Sequence, residues 1–228
     1  MIISHKHKFI FIKTRKTAGS SFELMLSAIC GPDDILTPLS SEEEKVREQL
    51  GGGRARNYHL PLKKYWKREY LQLLLNRERA RFKEHWPAKY IRDRVDPAVW
   101  NSYYKFAFDR NPYDKAVSYY YWKEACQDHP TVEAFIRAGG LDPMSSYDLY
   151  SYGNRPIVDD VFKFEELDDS LTLIAERLRL DQPLEMPGYR AKSGFRERKG
   201  YREMLSPWAR QEVAKMFARE IALLGYEF

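Results

Sequence analysis

Three groups of residues combine types and spacing suited to chemistry. The first is Lys16-Thr17-Ala18-Gly19-Ser20-Ser21, a lysine followed by small and hydroxyl-bearing residues, with Arg15 in front of it. The second is Arg110 with Ser118, two helical turns further on. The third is a pair of histidines, His59 and His85, whose ordinary pKa of about 6.5 suits proton transfer near neutrality. A lysine aimed at the same point as free backbone N–H groups and the positive end of a helix is a metal-free way to hold a phosphate. A guanidinium suits bidentate phosphate binding. The chemistry on offer is anion binding, with a base available.

The elements that must position these residues follow from the apolar pattern. Phe9-Ile10-Phe11-Ile12 is a run short enough to be a strand buried on both faces, and Phe22, Met25, Leu26 and Ile29 then recur at the spacing of one helix face. The lysine loop therefore lies between a strand exit and a helix start. Phe106 to Phe108 fit a second buried strand that delivers Arg110. Asn111 reads as an N-cap, with Pro112 at the first helical position and Asp114 at N3, ahead of a face made by Tyr113, Ala116, Val117 and Tyr120. Val161 to Phe164 read as a third strand, and Leu167, Leu171, Ile174, Ala175 and Leu178 mark the helix after it. Strands alternating with helices predict an α/β fold: an open, mostly parallel sheet with helices on both faces. Ligands of such sheets sit at the carboxyl ends of strands, where both anion-holding segments begin.

Each feature also has a bland account. Many strand-to-helix turns bind nothing, Arg110 could serve as a cap or salt-bridge partner, and a histidine is more often a surface or satisfied core residue than a base. The nucleoside-triphosphate pattern GxxxxGK[ST] is not matched, because Phe11 stands where its first glycine belongs and the loop glycine follows the lysine. That disfavours an ordinary kinase, although Asp109 could mimic the magnesium-holding aspartate of a nucleotidase.

The remaining segments are less informative. Ser41-Glu42-Glu43-Glu44 reads as a capping box for a helix stopping at Gly51-Gly52-Gly53. Residues 58–90 are dense in Lys, Arg and aromatics. Leu71, Leu74 and Leu75 there suggest a helix with a solvated, snorkelling face. Thr131 to Gly140 holds a short helix, and the tyrosine-rich stretch from Ser145 to Gly153 fits an acceptor site or simple packing. The basic stretch Arg190 to Arg202 is the best candidate for a loop closing over an anion. Ser206-Pro207 opens a last helix whose apolar face is Val213, Met216, Phe217 and Leu224, ended by Gly225.

Composition bounds the answer. A chain of 228 residues, 43% hydrophobic, is long enough for one substantial core, and a single domain over residues 1–228 is expected. The net charge of +5 is modest and its cations are interleaved with acids, which favours an anionic ligand over nucleic acid. Cys30 and Cys126 lie far apart without metal-ligand spacing, so neither a disulfide framework nor a zinc site is expected and a reducing, cytoplasmic setting fits best. The sequence holds no apolar run of the ~20 residues that span a bilayer, so membrane insertion is not expected.

With both anion segments in view, the chain resembles the sulfotransferases that use 3′-phosphoadenosine 5′-phosphosulfate (PAPS), in particular the carbohydrate sulfotransferases and their bacterial relatives. Lys16-Thr17-Ala18-Gly19-Ser20-Ser21 is similar to that family's 5′-phosphosulfate loop. Arg110-Asn111-Pro112-Tyr113-Asp114-Lys115-Ala116-Val117-Ser118 is similar to its 3′-phosphate signature, and His85-Trp86-Pro87-Ala88-Lys89-Tyr90-Ile91-Arg92 resembles the segment carrying its catalytic histidine. The ending Gly225-Tyr226-Glu227-Phe228 is also similar. The resemblance implies a P-loop-nucleotidase-like sulfotransferase fold and in-line sulfuryl transfer from PAPS to a hydroxyl, with 3′-phosphoadenosine 5′-phosphate (PAP) as product and no metal. The acceptor would be a glycan or a small molecule. It also implies roles. Lys16 would stabilise the departing phosphate, His85 would act as base, and Arg15, Lys16, Thr17, Ala18, Gly19, Ser20, Ser21, Arg110 and Ser118 would hold the nucleotide. Three positions depart from the pattern: Arg15 where proline is common, Lys115 for a frequent arginine, and Asp109 where an apolar residue is usual. The last would place a negative charge beside Arg110 unless it points away. A magnesium-dependent kinase and a non-enzymatic polyanion-binding module are the competing readings.

Overall fold

The computed structural model describes residues 1–122, 124–188 and 200–228. The chain opens with β1 (Ile2–Ser4), β2 (Phe9–Ile12), α1 (Gly19–Ala28), β3 (Ile35–Leu36), α2 (Ser41–Gln49) and α3 (Lys67–Asn76). It continues through α4 (Ala88–Arg94), α5 (Pro97–Ser102), β4 (Tyr104–Asp109), α6 (Pro112–Trp122), α7 (Val132–Arg137) and α8 (Tyr147–Tyr150). After the small hairpin β5 (Ser151–Tyr152) and β6 (Arg155–Pro156) come β7 (Asp160–Lys163), α9 (Leu167–Arg177), α10 (Tyr201–Met204), α11 (Pro207–Met216) and α12 (Ala218–Leu224).

One sheet runs in the order β3-β1-β2-β4-β7. Its core is parallel, with Phe11 opposite Phe106 and Phe108 opposite Phe162. β1 pairs antiparallel with both β2 and β3, so the sheet is mixed. Four residues separate β1 from β2, enough for a turn and far too few for the crossover a parallel pair needs. Ile2–Ser4 is too short to register as a strand by periodicity, and for that reason this edge was not foreseen.

Alternation along β2 sorts its side chains between two faces. Phe9 and Phe11 join Phe22, Phe106, Phe108 and Ile174 beneath α1 and α9, while Ile10 and Ile12 join Ala107, Ile91, Trp100 and Tyr150 on the other side. The Phe22 ring stacks on Phe108 with centroids 4.0 Å apart. Burial of one such side chain stabilises by about 1.5–3 kcal/mol, and here it fixes the first turn of α1 against β4. The predicted face of α6 is buried as well: Tyr113, Ala116, Val117 and Tyr120 pack with Phe135 of α7 and Val213 of α11.

Two local expectations need correction. The capping box starts one residue earlier, at Ser40. Its hydroxyl accepts the Glu43 N–H at 3.3 Å while the Glu43 carboxylate accepts the Ser40 N–H at 3.1 Å. Two adjacent serines before three glutamates satisfy the pattern in either register. The final helix is two helices, broken at Phe217, whose ring is buried in the core. Past the break the buried Glu220 carboxylate accepts the Ser146 and Tyr147 N–H groups at 3.1 and 3.2 Å. The stretch Arg190–Arg202 lies outside the described residues up to residue 199.

Candidate active site

The lysine loop is shaped by its ties to the strands beneath it. Thr14, just past β2, donates its hydroxyl to the Phe108 carbonyl of β4, and that hydroxyl lies 2.9 Å from the Thr17 hydroxyl. Lys16 and Ala18 are held at φ of 60° and 54°, a left-handed conformation that costs a residue bearing a Cβ of order 1 kcal/mol or more. Such left-handed turns direct backbone N–H groups into a concavity that favours anions. α1 then begins at Gly19 with no side-chain cap and no acidic residue in its first turn. Its leading N–H groups and the positive end of its dipole therefore face the loop uncompensated by side chains.

Gly19 is required by a close approach. A Cβ there would lie 2.7 Å from Cγ of Lys13, whose stem crosses the start of the helix. The Lys13 ammonium is buried between the carboxylates of Glu23, at 2.6 Å, and Glu84, and lies 3.3 Å from the Ser20 hydroxyl. Burial alone would lower its pKa, but the two carboxylates outweigh this and hold it above the ordinary lysine value. Lys13 thus remains a fixed cation at the base of the loop.

Arg110 arrives from the end of β4. Its Nε and Nη2 donate to Asp114, one turn into α6, while Nη1 donates to the Lys16 carbonyl at 3.2 Å and to the Ser118 hydroxyl at 3.3 Å. The two predicted anion-holding segments therefore meet directly. The Lys16 ammonium sits over the Trp122 ring, 4.8 Å from its centroid.

His85 enters from the turn before α4. Its Nδ1 lies 3.1 Å from the Lys13 carbonyl oxygen, which can only accept, so this ring nitrogen carries the proton and Nε2 is left with its lone pair in the neutral form. Nε2 lies 3.6 Å from Glu84 Oε1. Burial pushes the His85 pKa down most. The Lys13 carbonyl and Glu84 raise it, Lys13 and Arg15 lower it, and the net position is below the ordinary value.

These groups enclose a cleft of about 350 Å³ at the carboxyl ends of β2 and β4. Of the residues singled out in the sequence, Arg15, Lys16, Ala18, Gly19, Ser20, His85, Arg110 and Ser118 line it. Thr17 and Ser21 are buried and do not line it. His59 lines a separate cavity of about 300 Å³ together with Asn57, Phe82 and Asp96. Tyr147 and Tyr150 of the tyrosine-rich stretch are packing residues. Asp109 points away from the cleft. Fully buried, it is paired with the Lys115 ammonium and accepts the Tyr150 hydroxyl at 2.9 Å and the Arg110 N–H at 2.8 Å. Its charge is thus already matched, and it is not placed to hold magnesium in the cleft. Sequence reasoning missed Lys13, Glu84 and Trp122 as lining residues. The available signals were a lysine closing an apolar strand and a glutamate beside the candidate base.

Fold and cleft together define an α/β protein with a cleft lined by lysines and arginines where parallel strands end. Residues 1–140 match the Sulfotransferase family, and since that is more than half of the chain, the protein belongs to this family and is a transferase. The match spans both loops and His85, and leaves out the Gly225–Phe228 ending. An uncharacterized protein of Archaeoglobus fulgidus is 26% identical over 105 residues, 44% of this chain and 88% of that one. No solved structure matches the chain.

Proposed function

We propose that this sulfotransferase takes its sulfuryl group from PAPS and transfers it to a hydroxyl of a carbohydrate, with His85 as the base. The observation that carries the reading is that Lys16, Arg110 and His85 line one cleft, with Arg110 reaching the Lys16 carbonyl itself. The cleft suits a doubly phosphorylated nucleotide. Among the described residues, Lys13, Arg15, Lys16 and Arg110 line it with one acidic residue, Glu84, while Glu23 and Asp114 pair Lys13 and Arg110 from outside the lining, and the α1 N-terminus brings no cap of its own.

When bound, the nucleotide supplies an activated sulfuryl group on its 5′-phosphate. The backbone N–H groups from Thr17 to Ser21 would hold the nonreacting oxygens, with Lys16 placed to stabilise the charge that builds as the phosphate departs. Arg110 and Ser118 would hold the 3′-phosphate, the feature that separates this nucleotide from ATP. The lone pair of His85 Nε2 would take the acceptor hydroxyl proton, a contribution of about 10²–10⁴-fold for a well-placed base. The Glu84 carboxylate would then stabilise the imidazolium, while the Lys13 carbonyl keeps the ring in the required tautomer.

The test has two arms. Calorimetry should find PAP bound more tightly than ATP, with no gain from magnesium, and binding weakened by Arg110→Ala. A screen of sugars with radiolabelled PAPS should find transfer that Lys16→Ala and His85→Ala each depress about a hundredfold or more. Tighter, magnesium-dependent ATP binding would replace the assignment with a kinase. Normal turnover in His85→Ala would move the base elsewhere.

A further inference from the structure

Among the described residues, exposed large apolar side chains cluster outside the cleft, on α3 and the turn before it. Leu62, Trp66, Tyr70, Leu71, Leu74 and Leu75 are all exposed, Leu74 at 80% and Leu75 at 72%. Tyr70, Leu71, Leu74 and Leu75 stand at helical spacing and form one stripe. The helix is not loosely attached. On its inner face Glu69 makes a two-pronged ion pair with Arg94 at 2.8 and 2.9 Å, and the half-buried Leu73 packs against the core. The stripe is therefore held outward by a fixed inner face.

Its charge surroundings say what it fits. Residues 62–83 contain eight Lys or Arg and two Glu, a net +6 against +5 for the whole chain, so the remainder is close to neutral. Lys67, Arg68, Arg77, Arg79 and Arg81 are exposed beside or just beyond the leucines. Cations flanking a leucine stripe, with a tryptophan at one end, match an interface of anionic headgroups above acyl chains. A nucleic acid would use the cations and leave the leucines in water. At ten residues α3 is about 15 Å long, half the thickness of a bilayer core, so it would lie in the surface plane and not cross it.

We propose that α3 docks this protein peripherally on an anionic lipid surface, with Leu71, Leu74 and Leu75 dipping among the headgroups and the flanking Lys and Arg facing lipid phosphates. The inference is independent of the nucleotide assignment, and its test uses no nucleotide.

The experiment is flotation of the full chain with phosphatidylcholine vesicles and with vesicles containing about one-third phosphatidylglycerol, at low and high salt. Expected is binding to the anionic vesicles alone, weakened by salt. Both Leu74→Ser/Leu75→Ser and Lys67→Glu/Arg68→Glu should weaken it about tenfold or more, with circular dichroism unchanged. These side chains are exposed, so neither pair removes a core contact. Loss in the charge variant with full binding in the leucine variant would mean adsorption without insertion and would overturn the proposal. So would no vesicle binding by the parent chain, including the case in which sedimentation finds a concentration-dependent dimer abolished by the leucine changes.

Discussion

Glu84→Gln gives the sharpest test of how the cleft tunes its base. In the parent protein the Glu84 carboxylate stands 3.6 Å from His85 Nε2, and the two side chains are 39% and 33% exposed. At that separation a unit charge pair is worth about 1 kcal/mol in a water-like dielectric and about 4–5 kcal/mol at an effective dielectric of 20. Exposure of both partners, and the sharing of Glu84 with Lys13, place the interaction at the lower end. Removing the carboxylate is therefore expected to lower the His85 pKa further below its ordinary value. The sign follows from which form is stabilised. Glu84 favours the imidazolium, so its loss makes the neutral ring easier to reach, and the acidic limb of the kcat/KM profile moves to lower pH. Arg15→Gln removes a cation that disfavours the imidazolium and is expected to move the limb the other way. The ring can be followed directly by NMR titration of its carbon-bound protons, which needs no acceptor, and the rate profile can then be compared with it. A His85 titration that stays put or rises in Glu84→Gln would refute the electrostatic argument. A rate limb that ignores both substitutions while the ring titration obeys them would refute the base assignment.

Two further outcomes follow from the same geometry. Gly19→Ala is expected to displace the Lys13 stem, since its new methyl would lie 2.7 Å from Lys13 Cγ. PAP affinity should fall at least tenfold in calorimetry, with a stability loss of about 1–3 kcal/mol in urea melts. Lys115→Met strands the fully buried Asp109 carboxylate and is expected to cost about 3–5 kcal/mol. The double variant Asp109→Leu/Lys115→Met should recover much of that, so a cycle showing simple additivity would mean that the pair is not coupled.

The legible part of the molecule was the part written in short-range pattern. The strand Phe9–Ile12, the turn after it and the helix face beginning at Phe22 announce themselves through period and residue size. The strand from Tyr104 with its Asn111-Pro112 helix start does the same, and a lysine and an arginine placed at these two exits could be paired on paper. The illegible part depends on contacts across the fold. Lys13 reads in sequence as an interruption at the end of an apolar run. It becomes part of the site only because Glu23, ten residues on, and Glu84, from another segment altogether, converge on its ammonium. Leu71, Leu74 and Leu75 read as a helix stripe, and period alone does not say whether a stripe faces core or solvent. Here Leu73 and Glu69 take the inner face instead.

Asp109 makes the same point about charge. Beside Arg110 in sequence it looked like a threat to phosphate binding or a metal ligand, because adjacency was the only distance available. In the fold, the strand-to-helix turn sends consecutive side chains to opposite sides, Arg110 into the cleft and Asp109 into the core. The substitution of lysine for arginine at position 115 then has a local partner, since the Lys115 ammonium meets that carboxylate and the Ser146 hydroxyl at 3.1 Å. Two of the three departures from the family pattern are therefore one feature, a buried ion pair beneath the arginine. With burial and Asp109 both raising its pKa, the Tyr150 phenol stays protonated and serves as a fixed donor. A charge that appears to oppose the ligand in sequence instead anchors the turn that presents Arg110, and loosening of that turn is what the Lys115→Met cycle would detect.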